Sequence, residues 1–354
     1  MKAPLAAERD EVNRRRRWLA AVLRVLISLA LLVALVVAVD FHEIVQRLKV
    51  VGWREFAIGC LVYQAAAIGA NSARWDLLLR GSGERVPFGR LAVLNWIGNF
   101  FSLLLPTTVG GDLVRMYELS KNLRERAKAA ASVFLDRVLG FAALAILALG
   151  GIGASWFAGM LTPGSEFVAL LSGAVLGAIA LLASRRAHRF LHRSFPFPFK
   201  RKFEGLAKQF YHALREMAES RKRLVVAAAV SIVAQIGVVI AVMVAGEALR
   251  LDVPASEYFA FVPIVLFASA LPLSVGGLGV RETAFVLLFT EVGVAAPDAV
   301  ALSVLVYAYF AVTGLVGALI WGTLTISRVV RTGPNAVRYG LPRVDRHSAR
   351  RDTL

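Results

Sequence analysis

A motif of eleven residues occurs twice in this chain, and it constrains the fold more than any other feature of the sequence. The first copy, LPTTVGGDLVR, occupies residues 105–115, and the second, LPLSVGGLGVR, occupies residues 271–281. Seven of the eleven positions are identical, and the hydroxyl of Thr108 is matched by that of Ser274. In each copy a proline and two glycines end an apolar run and precede another helical pattern, which predicts a break between two membrane-embedded helices. Because such breaks are tolerated at membrane depth only where they are buried in protein or line a cavity, we expect a binding site there.

The apolar and basic residues of the chain occupy different segments. Hydrophobic residues make up 58% of the 354 residues, yet 41 residues are Lys or Arg and the formal net charge is +17. A polytopic membrane protein segregates its residues in this way, whereas a soluble fold rarely does. The basic residues lie between apolar runs rather than on one soluble domain, so nucleic acid is not expected as a partner.

Long apolar runs predict an all-α polytopic membrane protein with about six full transmembrane helices. The predicted spans are residues 18–39, 56–79, 129–150, 166–183, 224–248 and 299–327. A basic N-terminus, residues 1–17, precedes them, and a basic tail, residues 328–354, follows them. The segments that this topology assigns to the cytoplasm carry 33 of the 41 positive charges. Since cytoplasmic loops are enriched in Lys and Arg, both termini are predicted to be cytoplasmic.

Two further apolar runs are too short to cross a bilayer. Residues 91–105 form a helix of roughly 22 Å, against about 30 Å of hydrocarbon, and residues 258–271 are one residue shorter. Five positive charges follow the first break, which predicts that residues 91–120 form a re-entrant hairpin that returns to the cytoplasm. The second hairpin then enters from the outside.

The membrane domain, residues 18–327, thus divides into halves at about 18–184 and 224–327, arranged as an inverted repeat of the kind found in many transporters. The alternative is a fold with eight transmembrane helices, in which each hairpin forms two full spans. That alternative would leave the basic residues between Arg115 and Lys128 outside the cytoplasm.

The linker between the halves, residues 185–223, carries twelve Lys or Arg residues. Its apolar residues recur at helical spacing, which predicts an amphipathic helix. These residues are Phe203, Leu206, Phe210, Leu214 and Met217. Such a helix either lies on the anionic lipids of the inner leaflet or is a solvated connection between the two halves.

The repeated motif also supplies candidate ligands for an anion. A helix that restarts after Gly-Gly presents unpaired N–H groups and partial positive charge, and Arg115 and Arg281 follow about one turn later. These groups together are suited to the phosphate of a lipid headgroup. The predicted headgroup site comprises Thr108, Gly110, Gly111, Asp112, Arg115, Ser274, Gly276, Gly277, Arg281 and Glu282. The alternative is that the glycines only permit a tight turn and the arginines extend to the nearest interface.

Four other polar residues fall within predicted membrane segments. Asn95 and Asn99, four residues apart, share one helix face and hydrogen-bond either a headgroup or the facing helix. Asp136 and Arg137 are roughly 12 Å deep in the third span, where charges are costly unless they face the bundle interior. They either form ion pairs with a hairpin residue such as Arg115 or provide a path for a charged headgroup.

The sequence contains no motif for nucleotide, metal or hydrolase chemistry, so no catalytic residue and no cofactor is assigned. His188 and His192 have helical metal-ligand spacing, but they lie in a basic segment without a nearby carboxylate, so no metal site is expected.

Four short segments carry a resemblance to a known family. They are Asn99 with Phe100, PTTVGGDLVR from Pro106, LDR at residues 135–137, and SVGGLGVRE at residues 274–282. Through them the chain resembles, over about residues 20–327, the flippase-like transmembrane domain of bacterial lysylphosphatidylglycerol synthases. The resemblance implies a protein of a bacterial or archaeal cytoplasmic membrane that handles an aminoacylated phospholipid, a polyprenyl-phosphate-linked sugar or another envelope lipid. Envelope-lipid biosynthetic enzymes are then candidate partners.

The full-length synthases carry a large soluble domain for aminoacyl transfer from tRNA after the membrane part, whereas a basic tail of 27 residues follows it here. We therefore expect a lipid translocase without tRNA-dependent synthase activity. Two alternatives stay open. One is a membrane-embedded transferase that uses Asp112, Asp136 or Glu282 as a base, and the other is a scaffold in envelope-lipid synthesis.

Overall fold

The structure is a computed structural model of the chain. It describes residues 23, 26–31, 33–34, 41–105, 110–121, 123, 125–159, 164–183, 200–271 and 274–332. Most of the predicted first span, residues 18–39, lies outside these ranges. Thr108, one of the predicted site residues, lies outside them as well.

Helices account for the regular structure throughout the described ranges, and no strand occurs in them. In chain order they are α1 (Phe41–Lys49), α2 (Trp53–Gly81), α3 (Phe88–Leu104), α4 (Gly110–Ser120), α5 (Arg126–Phe157), α6 (Ser165–Ala183), α7 (Lys200–Glu219), α8 (Arg221–Ala248), α9 (Ala255–Ala270), α10 (Val280–Phe289) and α11 (Ala296–Thr332). The second of these contains a π-helical turn at Ala65–Ala70.

Four of the described helices are long and apolar enough to cross a membrane. They are Trp53–Gly81, Arg126–Phe157, Arg221–Ala248 and Ala296–Ile326. The first three each include a predicted span, and the fourth covers all of the span at 299–327 except its last residue. The predicted span at 166–183 corresponds to a shorter apolar helix, Ser165–Leu181. The chain is therefore a multi-pass, all-helical membrane protein in the ranges that the structure describes.

The two predicted helix breaks lie at the same place in both motif copies. The helix α3 ends at Leu104 and α9 ends at Ala270, and the next residue of each, Leu105 or Leu271, adopts an extended conformation. In the sequence a proline follows each leucine. The proline ring disfavours helical geometry in the residue before it, which explains why both helices end there.

Helices of each half pack against helices of the other half. Helix α3 of the first half packs against α11 of the second, α9 of the second half packs against α5 of the first, and α2 packs against α8. Glycines on the long helices permit the close approach. A β-carbon at Gly151 of α5 would overlap the backbone of Ala260 in α9, and one at Gly317 of α11 would overlap the backbone of Trp96 in α3.

The apolar face of the linker helix α7 packs against protein in the part whose side chains are described. Ala213 and Met217 are buried in a cluster with Ala131 of α5, and Phe210 and Leu214 pack around that cluster. Lys128, at the start of α5, adds an ion pair to Glu216 of α7 with a separation of 3.2 Å. The helix predicted to lie either on the inner leaflet or in solvent is thus docked onto α5 through these residues.

Candidate functional site

A cavity of about 290 Å³ lies between the two halves of the protein. Helices α2, α3 and α5 of the first half and α8, α9 and α11 of the second contribute to its lining, as does Gly276 in the second break. Four arginines line it, namely Arg74, Arg115, Arg137 and Arg281. Both motif arginines predicted to bind an anion therefore reach the same cavity.

Asp136 joins the first motif arginine to α2. Its Oδ1 accepts a hydrogen bond from Nε of Arg74 at 2.6 Å, and its Oδ2 accepts one from Nη2 of Arg115 at 3.3 Å. Arg74 also donates from Nη1 to the hydroxyl of Ser231 in α8 at 3.3 Å. Asp136 is 2% exposed and Arg74 is 4% exposed, so the pair is largely removed from solvent.

Asp112 connects the same network to the neighbouring arginine of α5. It accepts hydrogen bonds from Nη1 of Arg115 at 3.2 Å and from Nε of Arg137 at 2.6 Å. Arg115 is therefore paired with both Asp112 and Asp136, and the second pair is one of the two alternatives predicted for Asp136. Arg137 lines the cavity and keeps 45% of its side chain exposed.

The second motif arginine has one carboxylate and one hydroxyl group as hydrogen-bond partners, whereas Arg115 has two carboxylates. Arg281 donates from Nε to the hydroxyl of Ser303 at 3.0 Å and from Nη2 to Glu282. Its guanidinium group lies over the ring of Tyr307, 4.5 Å from the centroid. Glu282 also accepts a hydrogen bond from the backbone N–H of Gly279 at 2.7 Å. One N–H that was predicted to be free at this helix start is thus occupied by a carboxylate of the same chain.

Arg115 retains one unpaired donor. Its Nε is buried and has no hydrogen-bond partner, although both terminal nitrogens are engaged. The guanidinium group stacks on Trp75 at 4.2 Å from the ring centroid, and the residue is 8% exposed. Because a buried unpaired donor is costly, this nitrogen is a candidate contact for an anionic ligand.

The two Gly-Gly pairs have different structural roles. In the first copy α4 already begins at Gly110, so the helix does not restart after the pair as predicted. A β-carbon at Gly111 would overlap the carbonyl oxygen of Gly98 in α3, so this glycine permits close helix packing. In the second copy Gly276 and Gly277 have φ values of 61° and 78° and form a turn before α10 begins at Val280.

Neutral polar side chains form another part of the cavity lining. Asn95 and Asn99 of α3 lie there, as their shared face predicted. Asn95 donates from Nδ2 to the hydroxyl of Ser72 at 2.7 Å, and Asn99 donates from Nδ2 to the carbonyl oxygen of Asn95 at 2.9 Å. Asn71 and Gln235 line the cavity as well.

Some of the predicted site residues line the cavity, and others contact residues that line it. Those in its lining are Asn95, Asn99, Arg115, Asp136, Arg137, Gly276 and Arg281. Asp112 and Glu282 contact lining arginines. Gly110 and Gly111 are the first residues of α4, and Ser274 and Gly277 belong to the second break.

Three residues of the cavity lining were not among the site residues predicted from the sequence: Arg74, Asn71 and Gln235. All three lie within long predicted spans, and a polar residue inside a span is the one signal that could have identified them. Among the described residues, no three His, Cys, Asp or Glu side chains come together as metal ligands.

Comparison with known proteins gives one family. The family model described as lysylphosphatidylglycerol synthase TM region matches residues 21–320. No curated protein matches the chain.

Proposed function

This chain belongs to the lysylphosphatidylglycerol synthase TM region family, and we propose that it translocates a phosphate-bearing lipid across the cytoplasmic membrane of a bacterium or archaeon. The lipid phosphate binds in the arginine-lined cavity while the acyl chains stay in the bilayer. An aminoacylated phospholipid and a polyprenyl-phosphate-linked sugar are the substrate classes that the sequence suggested.

The observation that carries the proposal is the excess of arginine in a cavity shared by the two halves. Four guanidinium groups line it, and three carboxylates pair with them: Asp112, Asp136 and Glu282. The cluster therefore keeps one positive charge in excess. A buried site with excess positive charge and an unpaired N–H donor favours an anion, and guanidinium groups match phosphate in geometry.

The proposed mechanism uses the two halves as an inverted repeat. The reciprocal packing of α3 with α11 and of α9 with α5 supports this arrangement. In it, α3–α4 and α9–α10 are re-entrant hairpins that meet near the middle of the bilayer, both termini are cytoplasmic, and the chain has about six full spans. Rearrangement of one half against the other would expose the cavity to each leaflet in turn.

The transferase alternative requires a carboxylate that is free to accept a proton from an acceptor group. Each of the three candidate bases already accepts hydrogen bonds from at least one arginine, and Asp136 has both oxygens engaged. The geometry therefore favours binding and translocation over base catalysis.

Reconstituted transport tests the proposal. The full chain is placed in liposomes that contain phosphatidylglycerol labelled on an acyl chain, and a membrane-impermeant quencher reports the movement of label from the inner to the outer leaflet. We expect Arg281→Gln to slow this movement about tenfold, because a charge-assisted hydrogen bond to the phosphate is lost. The matched control is Arg54→Gln, which removes the same charge from an exposed position at the start of α2 and should leave the rate unchanged.

Equal rates in wild type, Arg281→Gln and protein-free liposomes would contradict the proposal and favour a scaffold. Mass spectrometry of the lipids, after the protein is incubated with lipid and a group donor, tests the transferase alternative. A new lipid mass that depends on the protein would identify a transferase.

A further inference from the structure

Resting on the proposed function, we propose that the cavity selects phosphate lipids whose headgroup carries hydroxyl groups and no positive charge. The inference concerns the same site and narrows its substrate class. It excludes aminoacylated lipids, whose headgroups carry ammonium groups.

The charges of the cavity oppose a cationic headgroup. Among the described lining residues, Asp136 is the one carboxylate beside four arginines. Its Oδ1 is held by Arg74 and its Oδ2 by Arg115. An ammonium group would therefore enter a site with excess positive charge and find no free carboxylate to pair with. Like charges at close range in a poorly solvated site repel strongly.

Aromatic rings are the other groups in the lining that attract cations. Tyr63, Phe141 and Phe310 lie there. An ammonium group over the face of one of these rings would gain a cation–π contact, which is modest and is opposed by the excess positive charge of the arginine cluster. The rings are better suited to the apolar carbons of a headgroup than to its charge.

The neutral side chains of the lining suit hydroxyl groups. Asn71 donates from Nδ2 to the carbonyl oxygen of Ala67 at 3.0 Å, while its Oδ1 is buried and has no hydrogen-bond partner. This acceptor complements the unpaired donor at Nε of Arg115. A phosphate ester with a free hydroxyl satisfies both groups, because the phosphate accepts and the hydroxyl donates. A bare phosphate monoester would leave the Asn71 oxygen unpaired.

The size of the cavity agrees with a small headgroup. Its volume of about 290 Å³ is at the lower end of the range of small-molecule pockets, about 300–1,000 Å³. A glycerol phosphate group is suited to such a space, whereas a headgroup that also carries a lysyl chain needs considerably more room.

A competition experiment on the full chain tests the selection. Nanodiscs made of phosphatidylcholine receive equal small amounts of phosphatidylglycerol, lysylphosphatidylglycerol and phosphatidic acid with matched acyl chains, and native mass spectrometry measures which lipid each protein retains. We expect wild type to retain phosphatidylglycerol about tenfold over the lysyl ester. We expect Asn71→Ala to lower retention of phosphatidylglycerol about fivefold relative to phosphatidic acid, because one hydrogen bond is lost.

A second variant tests the charge argument in the opposite direction. Gln235→Glu places a carboxylate in the lining at nearly constant side-chain shape and should raise retention of the lysyl ester relative to phosphatidylglycerol about tenfold. Its matched control, Gln46→Glu, makes the same change at an exposed position of α1 and should leave the ratio as in wild type.

The outcomes separate the inference from the function on which it rests. If wild type retains the lysyl ester as well as phosphatidylglycerol, the selection is wrong but a phosphate-lipid site stands. If none of the three lipids is retained over phosphatidylcholine, the proposed function itself fails. Displacement of retained lipid by soluble glycerol phosphate at equal concentration would identify a water-soluble ligand and overturn the lipid assignment.

Discussion

The two copies of the repeated motif place an arginine in the same cavity but embed it differently. Arg115 belongs to a network that joins α2, α4 and α5 through Asp112 and Asp136 and continues to α8 through Arg74. Among the described residues, the hydrogen-bond partners of Arg281 are the adjacent Glu282 in α10 and Ser303 in α11. The arginine of the first copy therefore belongs to a network that joins four helices, whereas the arginine of the second copy connects α10 to α11.

The glycines of the two motif copies also have different structural roles. Gly111 permits two helices to approach closely, and Gly276 permits a left-handed backbone conformation in a turn with open space around it. The glycine pairs of the two copies thus meet different physical requirements. The difference shows that a repeated sequence preserves the position of the break, while the neighbouring helices determine what each residue does.

The largest effect is expected at Asp136, the carboxylate that accepts hydrogen bonds from both Arg74 and Arg115. Asp136→Asn should lower the free energy of unfolding by about 4 kcal/mol, because removing one member of a buried ion-pair network leaves uncompensated charge. Arg74 and Arg115 would both lose their shared partner. Denaturant unfolding in mixed micelles, followed by tryptophan fluorescence, measures the change.

The matched variant in the second copy is Glu282→Gln, with an expected loss of about 2 kcal/mol. The expected loss of stability is smaller than for Asp136→Asn because Arg281 keeps Ser303 and the ring of Tyr307 as partners. If the two variants lose equal stability, the distinction between a long-range network and a local pair is not supported.

An effect between those of Asp136→Asn and Glu282→Gln is expected at the glycine that packs α4 on α3. The β-carbon of Gly111→Ala would overlap the carbonyl oxygen of Gly98 and the hydroxyl of Ser102. Backbone cannot move away as a flexible side chain can, so we expect a loss of about 3 kcal/mol in the free energy of unfolding. Gly153→Ala is the control, since that glycine of α5 has open space around it. Equal melting temperatures for the two variants would contradict the close packing.

The smallest effect is expected at the turn of the second copy. Gly276 has a φ of 61° and no atom near a would-be β-carbon, so Gly276→Ala should cost about 1 kcal/mol through backbone strain alone. A melting curve of the full chain, recorded beside that of Gly111→Ala, gives the comparison. A loss larger than that of Gly111→Ala would reverse the roles assigned to the two glycines.

Much of the helical architecture was predictable because it depends on local composition. The described long helices coincide with the apolar runs, and both short helices end just before a leucine that precedes a proline. The convergence of Arg115 and Arg281 on one cavity followed from their equal place in the two motifs. The start of α4 at Gly110 did not follow from the motif, and the packing of Gly111 against Gly98 and Ser102 of α3 is a tertiary contact.

The sequence by itself determined the apolar helices, the two breaks and the arginine that follows each break, since these depend on runs of residues and on the backbone limits of proline and glycine. Tertiary structure alone decided which polar side chains face one another. Arg74 meets Asp136 across 62 residues and Ser231 across 157, and Asn71 and Gln235 reach the same cavity from α2 and α8. The physical reason is that a buried charge is tolerated only beside a partner, and the partner is supplied by whichever helix packs there.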